Sequence, residues 1–358
     1  PPQLARLRRR LARNRDRAPL FDTPALVRHL EQLYLQVARG ALRHGPAAGE
    51  VPAAGLPLVS ILVPTGDGDS AAALAGTVRS ALAQQYGCCE VIVSDSGGGD
   101  TRRRALAALL AAHPRLRYSR APALEAGDNL DHCLALALGD YVAVAPAGDL
   151  LQPDKIGRMM HFYQAYPAIG LVACWRQGVD SGGLPVPGAP LLPVETAVGG
   201  ASLAGVLLDS AGGAGDALCQ PACLLLRRAD LGPAFGHYQG KRYRHLAGVA
   251  TALAMLAGRQ CAYLPAPLCS GSPPPPAAAD ALELALEQLQ LLYEPHTRLH
   301  FLADATRFKS LLAQRLGALA ALVGERHGAL AGGDRQHNDA VQQALCEGYA
   351  LLLAPPPP

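Results

Sequence analysis

The sequence predicts an α/β fold in which a mostly parallel sheet is flanked by helices. Two observations predict it: short apolar segments rich in Val, Ile and Leu alternate with longer segments whose apolar residues recur at helical spacing. Chains with this alternation usually form parallel strands joined by crossover helices, the Rossmann-like arrangement. With 358 residues, the chain is long enough for one large domain with appendages or for two domains.

Four strands are predicted in the first half of this domain, and polar residues end or follow three of them. Thr65 ends the first strand and Asp67 follows it, Asp95 ends the second, and Asp149 follows the fourth. Because ligands bind at the carboxyl ends of strands in open α/β sheets, these residues are candidates for a binding site. The predicted strands are 58–65, 89–95, 116–118 and 141–145, and the helices between them are 72–84, 101–113 and 130–138.

The second half begins with a helix near Pro153, because Pro suits the first helical position and Asp154 suits the first turn. A strand is predicted at 169–175, and Asp180 then opens a turn with two Gly. Residues 184–200 are rich in Pro and Gly and are predicted to form a loop. A helix at 245–256 and a helical tail over 277–354 complete this half.

Composition and charge exclude several classes of protein. The net charge of +3 is too small to indicate nucleic-acid binding. The nine Cys include no Cys-x-x-Cys pair, so no zinc site is predicted, and reduced thiols in a cytoplasmic protein are expected. No apolar run approaches the roughly 18–20 residues that span a bilayer, so no transmembrane segment is predicted, and no signal peptide is recognisable.

The stretch over 139–160 carries the most specific pattern. It resembles the core of glycosyltransferase family 2 domains, which have the GT-A fold, at Tyr141, Val142, Asp149, Leu150, Leu151, Pro153, Asp154, Lys155 and Ile156. The family has an acidic Asp-x-Asp element where this chain has Pro146-Ala147-Gly148, and only the trailing Asp149 remains. The resemblance therefore implies a GT-A fold with a degenerate Asp-x-Asp element, in which Asp149 is the remaining metal-binding residue.

Other motifs of that family indicate a nucleotide site. The first strand ends in Pro64-Thr65, as in the family, and Gly66-Asp67 replace the family's Tyr-Asn. Asp67 is either an acceptor for the ribose or base or a turn residue, and Asp95 either binds the base, as in the family, or caps the next helix. The resemblance implies nucleotide-sugar binding by Pro64, Thr65, Asp67, Asp95 and Asp149. Residues 80–86, 129–134, 219–228 and 263–268 resemble further helix and strand motifs of the family.

The chemistry that this resemblance implies is only partly represented. A divalent cation, Mn²⁺ or Mg²⁺, would neutralise the leaving diphosphate, and an inverting reaction also needs a base for the acceptor hydroxyl. The candidates for catalysis are Asp149 and Asp180. Two hypotheses follow: a glycosyltransferase that moves a sugar from a nucleotide-diphosphate sugar to a glycan or protein acceptor, or an inactive relative that serves as a nucleotide-binding or assembly module. An unrelated Rossmann-like protein is disfavoured, because neither Gly-x-Gly-x-x-Gly nor a phosphate-loop Gly-Lys-Ser/Thr occurs.

The predicted domain organisation has five parts. They are a helical lead-in over 1–43, a linker over 44–57, the family 2-like domain over 58–276, the helical tail over 277–354, and a disordered Pro end over 355–358. Parts of 11–34 are similar to the C-terminal tail of bacterial SPINDLY-type, O-GlcNAc-transferase-like proteins, which implies a fused or partner transferase module; a plain helical lead-in is the alternative. The Arg cluster at 6–13 is either a solvated face or a patch for phosphate or anionic membrane, which would make the protein membrane-peripheral.

Overall fold

The computed structural model describes residues 55–121, 123–180, 182–210, 218–232, 234–272, 281–325 and 335–354. The predicted lead-in over 1–43, most of the linker over 44–57 and the Pro end over 355–358 lie outside the described residues. Among the described helices, none combines the length and the apolar content that crossing a membrane requires.

A sheet of nine strands forms the centre of the described part of the chain. The described strands are β1 (Val59–Thr65), β2 (Cys89–Asp95), β3 (Leu116–Arg120), β4 (Tyr141–Val144), β5 (Leu150–Leu151), β6 (Ile169–Gly178), β7 (Thr196–Gly199), β8 (Leu224–Arg227), β9 (His237–Tyr238), β10 (Lys241–Arg242) and β11 (Gln260–Gly271). The order in the sheet is β3-β2-β1-β4-β8-β6-β11-β5, with β7 also paired to β11, and a separate hairpin pairs β9 with β10.

The direction of the strands places the candidate residues at one edge. Strands β1, β2, β3 and β4 pair in parallel, and so do β6 and β11. Strand β8 lies between β4 and β6 and is antiparallel to both, so β4 and β6 run the same way. The carboxyl ends of these six strands therefore meet at the same edge, which we call the carboxyl edge. The prediction of a mostly parallel sheet flanked by helices is confirmed.

Helices cover both faces of the sheet because successive side chains of a strand point to opposite faces. Ile61 belongs to one buried cluster, which also contains the helical residues Leu74 and Ile156. Leu62 belongs to the other, which also contains Leu289 of the tail. The helices are α1 (Ala71–Leu82), α2 (Thr101–Ala105), α3 (Ala107–Ala112), α4 (Ala126–Leu136), α5 (Lys155–Ala165), α6 (Gly200–Ser210), α7 (Ala247–Leu256), α8 (Ala281–Tyr293), α9 (Pro295–Phe301), α10 (Ala305–Glu325) and α11 (Arg335–Leu353).

Some predicted boundaries differ from the structure. The helix predicted over 101–113 is divided into α2 and α3, and the loop predicted over 184–200 contains β7, which pairs with β11 at the border of the sheet. The strand predicted to end at Trp175 continues as β6 to Gly178, because its last residues pair with the end of β11. This extension brings Arg176 into the sheet, close to the carboxyl edge.

Candidate functional site

The candidate residues lie together at the carboxyl edge. Thr65 and Asp95 end neighbouring strands and are register partners. The backbone N–H of Ala147 donates to the carbonyl oxygen of Pro64 at 3.4 Å, so the loop that carries Asp149 lies beside the end of β1. In open α/β sheets this edge is the usual place for a ligand.

Asp95 is completely buried, and its carboxylate accepts three hydrogen bonds. Oδ1 accepts from the backbone N–H of Gly97 and from Nε of Arg102, each at 2.9 Å, and Oδ2 accepts from the hydroxyl of Tyr118 at 2.5 Å. These donors compensate the desolvation of a buried charge. Asp95 therefore fixes the loop after β2 from the inside and does not face solvent itself.

Asp67 lies on the outer side of the same arginine. Nη2 of Arg102 donates to Oδ1 of Asp67 at 2.9 Å, and the backbone N–H of Gly98 donates to the same oxygen at 3.0 Å. The hydrogen bond from Arg102 is the largest cause that lowers the pKa of Asp67, followed by that from Gly98. The Asp67 side chain is 76 % exposed, whereas that of Arg102 is 9 % exposed. The buried Asp95 thus holds Arg102, and Arg102 in turn holds the exposed carboxylate of Asp67. We call Asp67, Asp95, Arg102 and Tyr118 the Arg102 cluster.

Pro64 and Thr65 contribute mainly through their backbone. The carbonyl oxygen of Thr65 accepts from Nδ2 of Asn129 and from the backbone N–H of Ser96, each at 2.9 Å. The Thr65 hydroxyl donates to Asp69 at 3.1 Å. Asn129 also donates to the carbonyl oxygen of Ser94 at 3.2 Å. This buried amide therefore joins the ends of β1 and β2 and fixes their spacing at the edge.

Asp149 forms a forked ion pair with Arg176. Nε of Arg176 donates to Oδ2 at 2.9 Å and Nη2 donates to Oδ1 at 2.5 Å, while Nη2 also donates to the carbonyl oxygen of Ser272 at 2.8 Å. Burial is the largest influence on Asp149 and raises its pKa above the usual value; the hydrogen bonds from Arg176 act in the opposite direction. A Cβ on Gly271 would lie 1.8 Å from Oδ1 of Asp149, so the pair packs directly against bare backbone.

The residues around Asp149 do not fit a divalent cation. A cation of this kind prefers several oxygen ligands, and here Arg176 occupies both carboxylate oxygens. The preceding residues Pro146-Ala147-Gly148 carry no side-chain oxygen. Within the described ranges, no group of three or more His, Cys, Asp or Glu side chains is arranged to hold a metal ion.

Asp180 follows β6 at the same edge and is exposed. Its Oδ1 accepts from the backbone N–H groups of Gly182 and Leu184, each at 2.9 Å, so the side chain closes the turn. The position agrees with the turn that the sequence indicates. No residue in the ranges that the structure describes donates to Oδ2.

Sequence reasoning missed Arg102, Tyr118 and Arg176. The available signals were an Arg run at 102–104 just after the second strand, and a single Arg directly after the apolar run over 169–175. Neither pattern identifies its acidic partner, because the partners belong to other strands and loops.

Comparison with known proteins supports the fold, and a family model matches the first part of the predicted family 2-like domain. The family model described as glycosyl transferase family 2 matches residues 60–214, which is less than half of the chain. This segment contains Pro64, Thr65, Asp67, Asp95, Asp149 and Asp180, and also Arg102 and Arg176. No curated protein matches the sequence significantly.

The fold matches the GT-A architecture of the solved structures of S. aureus TarS. The chain is similar to residues 1–349 of S. aureus TarS, with a TM-score of 0.54 and 14% identity over 83% of this chain and 81% of that chain. The same protein in complex with UDP-GlcNAc gives a TM-score of 0.51 and 11% identity over 82% and 89% of the two chains. The mannosyltransferase PcManGT from Pyrobaculum calidifontis, in complex with GDP-Man and Mn²⁺, gives 0.47 and 17% identity over 90% and 94%.

Proposed function

We propose that this chain binds a nucleotide-diphosphate sugar at its carboxyl edge and transfers the sugar to a glycan or protein acceptor. The observation that carries the proposal is Asp67, an exposed carboxylate fixed by Arg102 and Gly98 directly after β1. A base or ribose presents N–H and O–H donors, and a fixed carboxylate is a strong acceptor for them. Asp95 then acts indirectly, by holding Arg102, and does not touch the nucleotide.

The nucleotides bound to structurally similar proteins guide the choice of ligands for testing this proposal. TarS was solved with UDP and with UDP-GlcNAc, and its fold resembles that of this chain. The family match spans every candidate residue from Pro64 to Asp180. Uridine nucleotides are therefore the first ligands to test, and guanosine nucleotides are tested beside them for comparison.

Asp180 is the proposed base for the acceptor hydroxyl. It is exposed, and its Oδ2 is left available by a turn that uses only Oδ1. Asp149 is less suited to this role, because both of its oxygens accept from Arg176. A positioned general base typically contributes about 10²–10⁴-fold to a rate.

An inactive nucleotide-binding or assembly module is the second candidate. The observation that favours it is the ion pair of Asp149 with Arg176, which removes the remaining carboxylate of the degenerate element from metal chemistry. Such a module would bind nucleotides and release none from a sugar donor.

Donor turnover distinguishes the two candidates. Release of UDP from UDP-GlcNAc and of GDP from GDP-mannose is measured for the wild type, Asp180→Asn and Asp209→Asn. Asn at position 180 keeps the amide oxygen for the turn and removes the charge, whereas Asp209 is an exposed, Arg-paired carboxylate on α6. We expect release by the wild type, a decrease of about 100-fold in Asp180→Asn, and no change in Asp209→Asn. Nucleotide binding without release would support the module instead.

The proposals on cellular location and on partners rest on the composition of the chain and on its resemblance to known families. We propose a cytoplasmic location and a fused or partner transferase module. Fractionation of the full-length protein from its own cells, followed by mass determination of the complex, tests both. Recovery only in a secreted fraction, or as a chain of this size alone, would contradict them.

A further inference from the structure

We infer that Arg176 recognises the donor's diphosphate, so that this chain binds nucleoside diphosphates without a divalent cation. The inference rests on the proposed function and names the group that contacts the phosphates. It starts from the disagreement between a metal-binding role for Asp149 and the arginine that occupies its oxygens.

The hydrogen bonds of Arg176 leave one end of its guanidinium unused. Nε and Nη2 donate to Asp149, and Nη2 also donates to Ser272. Nη1 donates to no residue in the described part of the chain. It is also not a buried atom, because the buried side-chain atoms without a partner are those of other residues. The side chain is 11 % exposed. Two N–H donors of a fixed cation are therefore open to solvent.

The position of this donor suits a diphosphate. Arg176 lies near the end of β6 and Asp149 follows β4, and both strands end at the carboxyl edge that carries Asp67. The loop that leads to Asp149 is hydrogen-bonded to the end of β1 through Ala147 and Pro64. A nucleotide whose base or ribose contacts Asp67 would extend its phosphates along the same edge.

Asp149 acts in this account as a positioning residue. Two parallel hydrogen bonds and the packing against Gly271 fix the guanidinium plane, so little rotamer entropy is lost when Nη1 binds an anion. Because the pair is neutral overall, the phosphate is recognised by charge-assisted hydrogen bonds and not by excess positive charge. The expected gain is therefore modest, about tenfold in affinity.

The test compares uridine with UDP, and guanosine with GDP, by competitive calorimetry in EDTA and in Mn²⁺. The proteins are the wild type, Arg176→Lys, the double variant Asp149→Asn with Arg176→Gln, and Arg259→Lys. Arg259 provides the matched control, because it also forms a forked pair with a carboxylate, that of Asp230. It directly precedes β11 and so lies at the end of that strand away from the carboxyl edge. Thermal unfolding verifies that each variant is folded.

In the wild type, UDP or GDP should bind about tenfold more tightly than its nucleoside, equally in EDTA and in Mn²⁺. The gain should vanish in both Arg176 variants and persist in Arg259→Lys. A gain that requires Mn²⁺, equal affinity of nucleoside and diphosphate, or a gain that survives in both Arg176 variants would overturn the inference while leaving the nucleotide site intact. Absence of binding by both nucleosides and diphosphates would overturn the proposed function as well.

Discussion

In the described part of the chain, Arg102 and Arg176 are each fixed against a buried carboxylate at the carboxyl edge, and the two arrangements differ in composition and exposure. In the Arg102 cluster, one guanidinium serves two carboxylates, and the outer one, Asp67, is 76 % exposed. In the second arrangement, Arg176 pairs with one described carboxylate, that of Asp149, and both side chains are largely buried, at 11 % and 7 % exposed. The first cluster presents a carboxylate to solvent, and the second presents N–H groups of a guanidinium.

This difference suits the two arrangements to different parts of a nucleotide: the base or ribose for the Arg102 cluster, and the phosphates for the Arg176 pair. The Arg102 cluster holds more negative than positive charge and offers an acceptor for base or ribose donors. The Arg176 pair is neutral and offers donors for phosphate oxygens. The two carboxylates that the family resemblance emphasises, Asp95 and Asp149, are both buried, and each acts by holding an arginine.

The largest effect is expected on stability when Arg176 is removed. Within the described ranges, only Arg176 donates hydrogen bonds to the Asp149 carboxylate, so Arg176→Ala leaves this buried carboxylate without those donors. We expect the free energy of unfolding to fall by about 3–5 kcal/mol. Urea unfolding followed by circular dichroism measures it, with Asp149→Asn in the same background expected to restore part of the loss.

Arg102→Ala provides the contrasting measurement. Asp95 keeps the donors Tyr118 and Gly97, so the expected loss is smaller, about 2 kcal/mol. A loss for Arg102→Ala equal to or greater than that for Arg176→Ala would show that remaining donors do not compensate the buried charge as described.

A Cβ at Gly271 would collide with the Asp149–Arg176 pair, and a Cβ at Gly97 would collide with the Arg102 cluster. At Gly271 it would lie 1.8 Å from Asp149 Oδ1, and at Gly97 it would lie 1.5 Å from Arg102 Nη2 and 2.4 Å from Asp67 Oδ1. Gly271→Ala must displace a buried pair and should cost about 2 kcal/mol in unfolding free energy. Gly97→Ala can push the tip of Arg102 away from Asp67, so it should lower nucleotide affinity more than stability.

Gly157→Ala is the matched control for these two variants. Gly157 lies within α5, and a Cβ there would meet no atom within 4 Å. Alanine in a helix is favoured over glycine by about 1 kcal/mol, so this variant should be neutral or more stable. Equal destabilisation by all three substitutions would contradict the specific role of the clusters.

The smallest expected effect is on how the free energy of unfolding changes with pH. The sign of this change differs between Asp67 and Asp149. The pKa of Asp67 in the folded protein is below its ordinary value of 3.8. Ionised Asp67 therefore stabilises the folded state fully above about pH 3.8, and this stabilisation is lost as the pH falls through the lowered pKa. The pKa of Asp149 is above 3.8, so ionisation costs stability, and this cost is removed as pH falls through the raised pKa.

Unfolding free energies of the wild type, Asp67→Asn and Asp149→Asn between about pH 5 and pH 3 measure this sign. On acidification, the wild type should lose stability relative to Asp67→Asn and gain stability relative to Asp149→Asn. Parallel curves for the two variants would contradict the assignment.

The sequence predicted more of the fold than of the site. Periodic apolar segments identify β1, β2 and β4, because strand and helix periodicity are local properties of the chain. Asp67, Asp95 and Asp149 could be identified from their place after those strands, but their partners could not. Arg176 meets Asp149 because β11 pairs with β6 on one side and with β5, which directly follows Asp149, on the other. Arg102 meets its partners because the loop after β2 lies beside the loop after β1. No local pattern in the sequence encodes these contacts.

The most direct test of the nucleotide site is calorimetric titration of UDP and GDP into the wild type, Asp67→Asn and Asp209→Asn. We expect saturable binding of at least one diphosphate, weakened about tenfold by Asp67→Asn and unchanged by Asp209→Asn. Absence of binding by both nucleotides, or equal affinity in Asp67→Asn and the wild type, would contradict it.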